Sequence, residues 1–209
     1  MDAPADLTEL FKTKAELVSA VTVTADNMAQ ALAYVVEACE KKDACKLLLS
    51  GCEAGLSAPA ADLCETVTRK TIAAPDLSDA DFAALGNLCE EKGFRLIREG
   101  LRDHLGGIDI AVTRADAGIA ETGTLVLRSR EEELRIATMV AEVHVAILPV
   151  SAIRATSHDV EPLLRQWMHD APDYTAFITG ASRTADIERV LALGVHGPLE
   201  LHIVFLTEA

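Results

Sequence analysis

Basic residues are scarce in this chain: 19 Lys and Arg stand against 33 Asp and Glu, for a net charge of −14. Binding nucleic acid through its phosphates needs clustered cations, and no block of five or six basic residues occurs anywhere in the sequence. The negative excess serves solubility, because like charges repel and suppress association. Cysteine is thin as well. Cys39, Cys45, Cys52, Cys64 and Cys89 are odd in number, widely spaced and without a CxxC pair, which suits neither a disulfide framework nor a cluster site. They read as structural thiols, Cys39 lying on an apolar helical face; a redox role for Cys45 or Cys52, near an expected strand end, is the second reading. H-E-x-x-H and comparable ligand spacings are also missing, so no metal is expected. The longest nearly apolar run, Val143 to Ile153, is about half a membrane span and is broken by His144, Pro149 and Ser151. Met1-Asp2-Ala3-Pro4 lacks the basic and apolar regions of a leader. The expectation is a cytoplasmic protein with no membrane span of its own.

What is present is an alternation of helical and β-type patterns over 209 residues, half of them apolar, which fits one globular domain. Asp6 to Ala20 reads as a helix, and residues 1–20 as an arm that can extend beyond the core. Val21 to Thr24 is β-type. Met28, Leu32, Val35, Val36 and Cys39 carry amphipathic helical spacing. Lys46 to Leu49 reads as a buried strand. Ser78 and Asp81 form a capping-box pattern ahead of Phe82, Leu85 and Leu88, with the helix ending near Gly93. Strands are expected at Phe94 to Ile97, Ile108 to Val112, Leu125 to Leu127, Val143 to Leu148, Tyr174 to Ile178 and Leu201 to Leu206. Ser129 with Glu132 reads as a helix cap. Thr156 with Asp159 is the clearest capping box, and the stripe of Val160, Leu163, Leu164, Trp167 and Met168 behind it reads as core. Helices alternating with short β-rich runs imply an α/β fold around an open, mostly parallel sheet covered on both faces.

Three loops combine glycine, hydroxyls and charge at strand boundaries. In Ala115 to Thr124, Gly118 and Gly123 permit positive φ and the close approach of a ligand. Glu121, beside Thr122 and Thr124, can serve as a base, a nucleophile or an acceptor for a ligand hydroxyl; equally, it can accept backbone N–H groups and pin the turn. Thr179-Gly180-Ala181-Ser182-Arg183-Thr184, followed by Ala185-Asp186-Ile187-Glu188, reads as strand, turn and helix start, the makings of an anion site. Arg183 can grip a carboxylate or phosphate there, or else pair with Asp186 while Ser182 or Thr184 caps the helix. The spacing is neither a P-loop nor a Rossmann fingerprint. Gly194-Val195-His196-Gly197-Pro198 presents His196 as an acid/base or anion-binding group, or as a ring that only hydrogen-bonds the turn. His144 and His202 fall within apolar strands and read as core. Ligands of open α/β sheets gather beyond the carboxyl ends of strands, so Glu121, Arg183 and His196 are expected to line one cleft.

Taken in order, Gly118-Ile119-Ala120-Glu121-Thr122-Gly123-Thr124, Thr179 to Glu188 and Gly194 to Pro198 resemble the signature of the LUD (lactate utilisation) family, over roughly Ile108 to Phe205. The family's usual Gly-Pro-Ser-Arg-Thr stands here as Gly180-Ala181-Ser182-Arg183-Thr184, without the proline that stiffens the turn. The resemblance implies a three-layer α/β sandwich related to the sugar-phosphate isomerase and CoA-transferase superfamily, as a single domain over residues 1–209. It implies membership of a bacterial system oxidising L-lactate to pyruvate, as its cluster-free component of the protein C type. It also implies no cofactor in this chain, iron–sulfur clusters on Cys-rich and cluster-bearing partner proteins, and a small carboxylate or phosphate as ligand. On that reading Glu121 and His196 are the catalytic candidates, and Thr122, Gly123, Thr124, Gly180, Ser182, Arg183, Thr184 and Asp186 bind the ligand. Two alternatives stand beside it: a non-catalytic subunit binding a small acid or nucleotide, and an isomerase or transferase acting on a phosphorylated or CoA-linked acid.

Overall fold

The computed structural model describes residues 5–42, 69–104, 107–169, 174–182, 185–187, 190–192 and 197–208. The strand expected at Lys46 to Leu49, with Cys45, Cys52 and Cys64, lies outside these residues.

Six strands form one parallel sheet in the order β1-β12-β7-β4-β2-β3. They are β1 (Val21–Ala25), β2 (Thr71–Ala73), β3 (Arg95–Ile97), β4 (Ile108–Arg114), β7 (Ala141–Pro149) and β12 (Glu200–Leu206). The fold is α/β. Side chains alternate across each strand, since successive Cβ atoms point to opposite faces. Val143, Val145 and Ile147 of β7, with Val204 and Leu206 of β12, face α2 (Met28–Lys41) and α3 (Asp79–Lys92). Ala146 and Leu148, with Leu201, Ile203 and Phe205, face the other side. These near-continuous apolar runs are what a sheet buried on both faces requires.

The second face is covered in a way the sequence does not announce. Beside α1 (Ala5–Leu17) and α4 (Glu132–Val140) sits a second sheet of four short strands in the order β8-β5-β6-β9. Its members are β5 (Ala117–Ile119), β6 (Thr124–Ser129), β8 (Ile153–Arg154) and β9 (Tyr174–Thr179). β5 and β6 form a hairpin, and β9 adds antiparallel to β6. Its outer side packs Ala117, Ile119 and Val126 under Val160 and Trp167 of the turn and helix α5 (Glu161–Trp167).

Several local expectations change. The segment expected to extend as an arm is docked: Phe11 and Ala15 of α1 are fully buried, and Phe11 meets Phe205 edge to face with ring centroids 5.5 Å apart. Ser78 accepts the Asp81 N–H at 3.1 Å and caps α3, and the Thr156–Asp159 capping box closes in both directions. Ser129, in contrast, caps nothing; its hydroxyl donates to the Glu131 carbonyl at 2.8 Å, and α4 starts at Glu132 without a side-chain cap. Met168 leaves the core stripe, because α5 ends at Trp167 and the next residue points into solvent. Among the described residues no helix is long and apolar enough to cross a membrane.

A buried ion network ties the end of α2 to the sheet. The Lys42 ammonium lies 3.2 Å from Asp109 Oδ1 and 2.5 Å from Glu142 Oε2, while Asp109 Oδ2 accepts the Thr71 N–H at 2.8 Å. Burial opposes the Lys42 charge, but the hydrogen bond that Lys42 donates to Glu142 and the charge of both carboxylates outweigh it and raise its pKa.

Candidate functional site

The described parts of the three glycine-containing loops are neighbours in space. A chain of hydroxyls joins the first to the second: Thr122 Oγ1 to Thr124 Oγ1 at 2.7 Å, and Thr124 Oγ1 to Thr179 Oγ1 at 2.7 Å. The second joins the third where the Ser182 N–H donates to the Pro198 carbonyl at 2.9 Å. Gly180, Ser182, Gly197 and Pro198 line one cleft of about 450 Å³, together with Thr138 of α4 and His144 of β7. His144 is buried, its Nε2 lies 2.8 Å from Thr113 Oγ1, and burial pushes its pKa down to about 4. The ring is therefore neutral near pH 7, a hydrogen-bonding group rather than a cation. His202, the other strand histidine, bridges the Tyr34 hydroxyl and Glu200, each at 2.9 Å.

Arg183, Thr184 and His196 lie outside the described residues. Glu121 is exposed and is not among the residues that line this cleft; its Oε1 accepts the Ser157 N–H at 2.7 Å and holds the β5–β6 turn against the segment before α5. Asp186 does not open a helix. Ala185–Ile187 is a strand, β10, paired antiparallel with β11 (Val190–Ala192), Asp186 opposite Leu191. The expected anion site at a helix N-terminus therefore has no helix behind it, because the chain turns back on itself as a hairpin.

The space over the signature glycines belongs to α1 and to Val18, the residue that follows it. Gly123 has φ +66°, and a Cβ there would stand 2.5 Å from the Ala15 nitrogen; at Gly180, with φ +73°, it would stand 2.5 Å from the Val18 carbonyl oxygen. A Cβ on Gly118 would meet the Phe11 ring at 2.7 Å. The close approach that these residues permit is made by the N-terminal helix and Val18.

A second cleft, of about 590 Å³, lies just beyond the carboxyl ends of the adjacent strands β2, β4 and β7. Its lining includes Asp76, Arg114, Asp116, Arg128 and Arg154. Both acids fasten backbone: Asp76 Oδ2 accepts the Arg114 N–H at 2.9 Å, and Asp116 Oδ2 accepts the Arg128 N–H at 2.7 Å. Asp76 reaches solvent through the mouth of the cleft, yet protein crowds its carboxyl group. That desolvation raises its pKa to about 6 despite the Arg114 hydrogen bond, with Asp116 adding to the rise. Desolvation raises Asp116 too, against the pull of Arg128, Arg114 and Arg130. Apart from Asp116 within the first loop, none of these residues lies in a motif of the sequence. The usable signal was position: each Arg or Asp stands on a short segment at or near the end of a strand, away from the glycine turns that drew attention.

Taken together, a parallel sheet with polar clefts at its strand ends and glycine turns defines a layered α/β protein. Residues 8–206 match the LUD domain family, and the chain belongs to that family. It is 35% identical over 102 residues to a lactate utilization protein C of an Exiguobacterium species, an overlap covering 47% of this chain and 44% of that one. With the protein of the same name from Anoxybacillus flavithermus the identity is 33% over 100 residues, covering 48% and 44%. The chain thus aligns with less than half the length of these curated relatives. A crystal structure of a DUF162 family protein from Deinococcus radiodurans shares the fold over 97% of both chains, with a TM-score of 0.59 and 16% identity.

Proposed function

We propose that this protein is a cluster-free component of an L-lactate utilisation system, binding a small carboxylate while lactate is oxidised to pyruvate. The observation that carries the reading is the family match over residues 8–206, joined to relatives named lactate utilization protein C. Two features of the chain support its finer parts. Cys39 and Cys89 are buried, and burial pushes their thiols up to about 12 and 11. A thiolate is the form that ligates a cluster or attacks a disulfide, and these two thiols stay protonated near neutral pH. Electrons from lactate would then pass to iron–sulfur and Cys-rich partner proteins. The second feature is cationic: three arginines line the strand-end cleft of a chain whose net charge is −14, a local field suited to an acid anion.

Deleting the gene tests this reading. Growth on L-lactate as sole carbon source should be lost, growth on glucose kept, and lactate growth restored by the wild-type gene. Unchanged growth on L-lactate would set the reading aside.

A further inference from the structure

We propose that the cleft beyond β2, β4 and β7 is the carboxylate site, Arg114 and Arg154 holding the ligand's carboxylate and Asp76 bonding the oxygen on its C2 atom. This rests on the lactate-utilisation reading and deepens it, because it moves the site from the glycine-turn residues to a different set of side chains.

Position is the first argument. Three adjacent parallel strands end at this cleft, and the crevice beyond the carboxyl ends of strands is where open α/β sheets bind ligands. Charge is the second. Three guanidinium groups face two carboxylates there, so the cleft remains net positive with both acids ionised. Availability is the third. Arg154 donates through Nη1 to the carbonyls of Ser151 and Ile153, at 3.0 and 3.1 Å. That fixes the side chain while Nε and Nη2 remain to face a ligand. The Arg114 guanidinium makes no hydrogen bond among the described residues, although its own backbone N–H is held by Asp76. Arg128 sits with its guanidinium carbon 5.3 Å from the Trp167 ring centroid, forming one wall. Guanidinium groups pair with carboxylates through parallel N–H bonds.

Asp76 supplies the discrimination. With one oxygen committed to the Arg114 backbone, the other is open to a ligand oxygen. An ionised carboxylate only accepts, so it suits the hydroxyl of a 2-hydroxy acid; a protonated one donates, so it suits the carbonyl of a 2-oxo acid. Its pKa near 6 places the change between pH 5.5 and 7.5. The charges around it are Arg114 of β4, Asp116 of the following turn, Arg128 of β6 and Arg154 of β8; of these, only Asp116 is a second acid, raised in the same direction.

The test is calorimetric titration of the full chain with L-lactate, pyruvate and inorganic phosphate at pH 7.5 and 5.5. Wild type should favour lactate over pyruvate at pH 7.5 and lose that preference several-fold at pH 5.5. Arg114→Gln and Arg154→Gln should each weaken lactate binding by about ten- to a hundredfold, the range of a charge-assisted hydrogen bond. Arg102→Gln, which removes a surface arginine paired with Glu132, should bind like wild type. Asp76→Asn keeps an acceptor for the Arg114 N–H and should make the lactate-to-pyruvate ratio independent of pH. Lactate binding that survives both arginine changes overturns the site while leaving the lactate-utilisation reading intact. So does phosphate binding more tightly than lactate with the same arginine dependence. An absence of binding by either acid also overturns the site, and the growth experiment then decides the broader reading alone.

Discussion

Replacing Gly123 with Ala separates two accounts of the signature glycines. The new Cβ would stand 2.5 Å from the Ala15 nitrogen and 2.8 Å from the Lys14 carbonyl carbon, both backbone atoms of α1. No side-chain rotation relieves that, so the helix must shift. Positive φ at a non-glycine residue adds about 1–2 kcal/mol, and full loss of a buried Phe contact such as Phe11 costs about 3–5 kcal/mol. Strain plus partial undocking of α1 comes to roughly 3 kcal/mol, against a typical total stability of about 5–15 kcal/mol. For a chain of this size that lowers Tm by about 6–12 °C. The assay is thermal unfolding followed by circular dichroism, with limited proteolysis reporting release of the N-terminal helix. Gly86 is the comparator: it lies within α3, and the nearest atom to its Cβ position is Leu96 Cδ2 at 3.8 Å. Gly86→Ala should stabilise by about 0.5–1 kcal/mol. A Gly123→Ala protein that melts like wild type but binds ligand less tightly would refute the packing account.

Removing one partner from the buried Lys42, Asp109 and Glu142 network by Asp109→Ala should destabilise by about 3–5 kcal/mol, read as the urea midpoint; a change under about 1 kcal/mol contradicts the role assigned to it. Burial holds His144 near 4 against an ordinary 6.5, so the unfolded chain binds a proton there that the folded chain does not. Its contribution is fully present above about pH 6.5 and is lost as pH falls toward 4, by at most about 1.4 kcal/mol per pH unit. Asp76, raised to about 6, acts in the opposite sense: the folded state holds its proton first and gains stability as pH falls through that value. The acid-side slope of stability should therefore be steeper in Asp76→Asn than in wild type between pH 6.5 and 5, and equal slopes would contradict the pairing. Finally, a variant retaining only Cys39 and Cys89 should react with a thiol reagent at pH 8 only after unfolding; rapid labelling of the native protein would contradict their burial.

Most of the large sheet was legible because its long strands are largely apolar, while the three-residue β2 (Thr71–Ala73) was not. Ile108 to Val112, Val143 to Leu148 and Leu201 to Leu206 combine β-branched residues with boundaries set by Gly, Pro or charge. Helices α2 and α3 were legible through Cys39-type spacing and the Ser78 cap. In the small second sheet β6 and β9 were legible as strands, but β5 and β8 were not, since β5 has three residues and β8 two. Segments that short, here containing Ala and Gly118, carry no usable period. The packing around the glycine turns was not legible for a related reason. Glycine turns signal close approach but not what approaches, and here Phe11, Ala15 and Val18 arrive at Gly118, Gly123 and Gly180 from more than a hundred positions away in the chain. The hairpin at Ala185–Ile187 shows the same limit: Thr184-Ala185-Asp186-Ile187-Glu188 is a fair helix start by composition, and pairing with Val190–Ala192 overrides it. The charged cleft assembles from Asp76, Arg114, Arg128 and Arg154, whose common position past neighbouring strand ends exists only once strand order is known.

The most direct measurement is conversion of L-lactate to pyruvate in extracts of a strain lacking the gene, with an artificial electron acceptor, after complementation by wild type or Arg114→Gln. The account predicts that wild type restores pyruvate formation and that Arg114→Gln, expressed and folded to the same level, does not. Pyruvate formation that persists at full rate without the gene would contradict it.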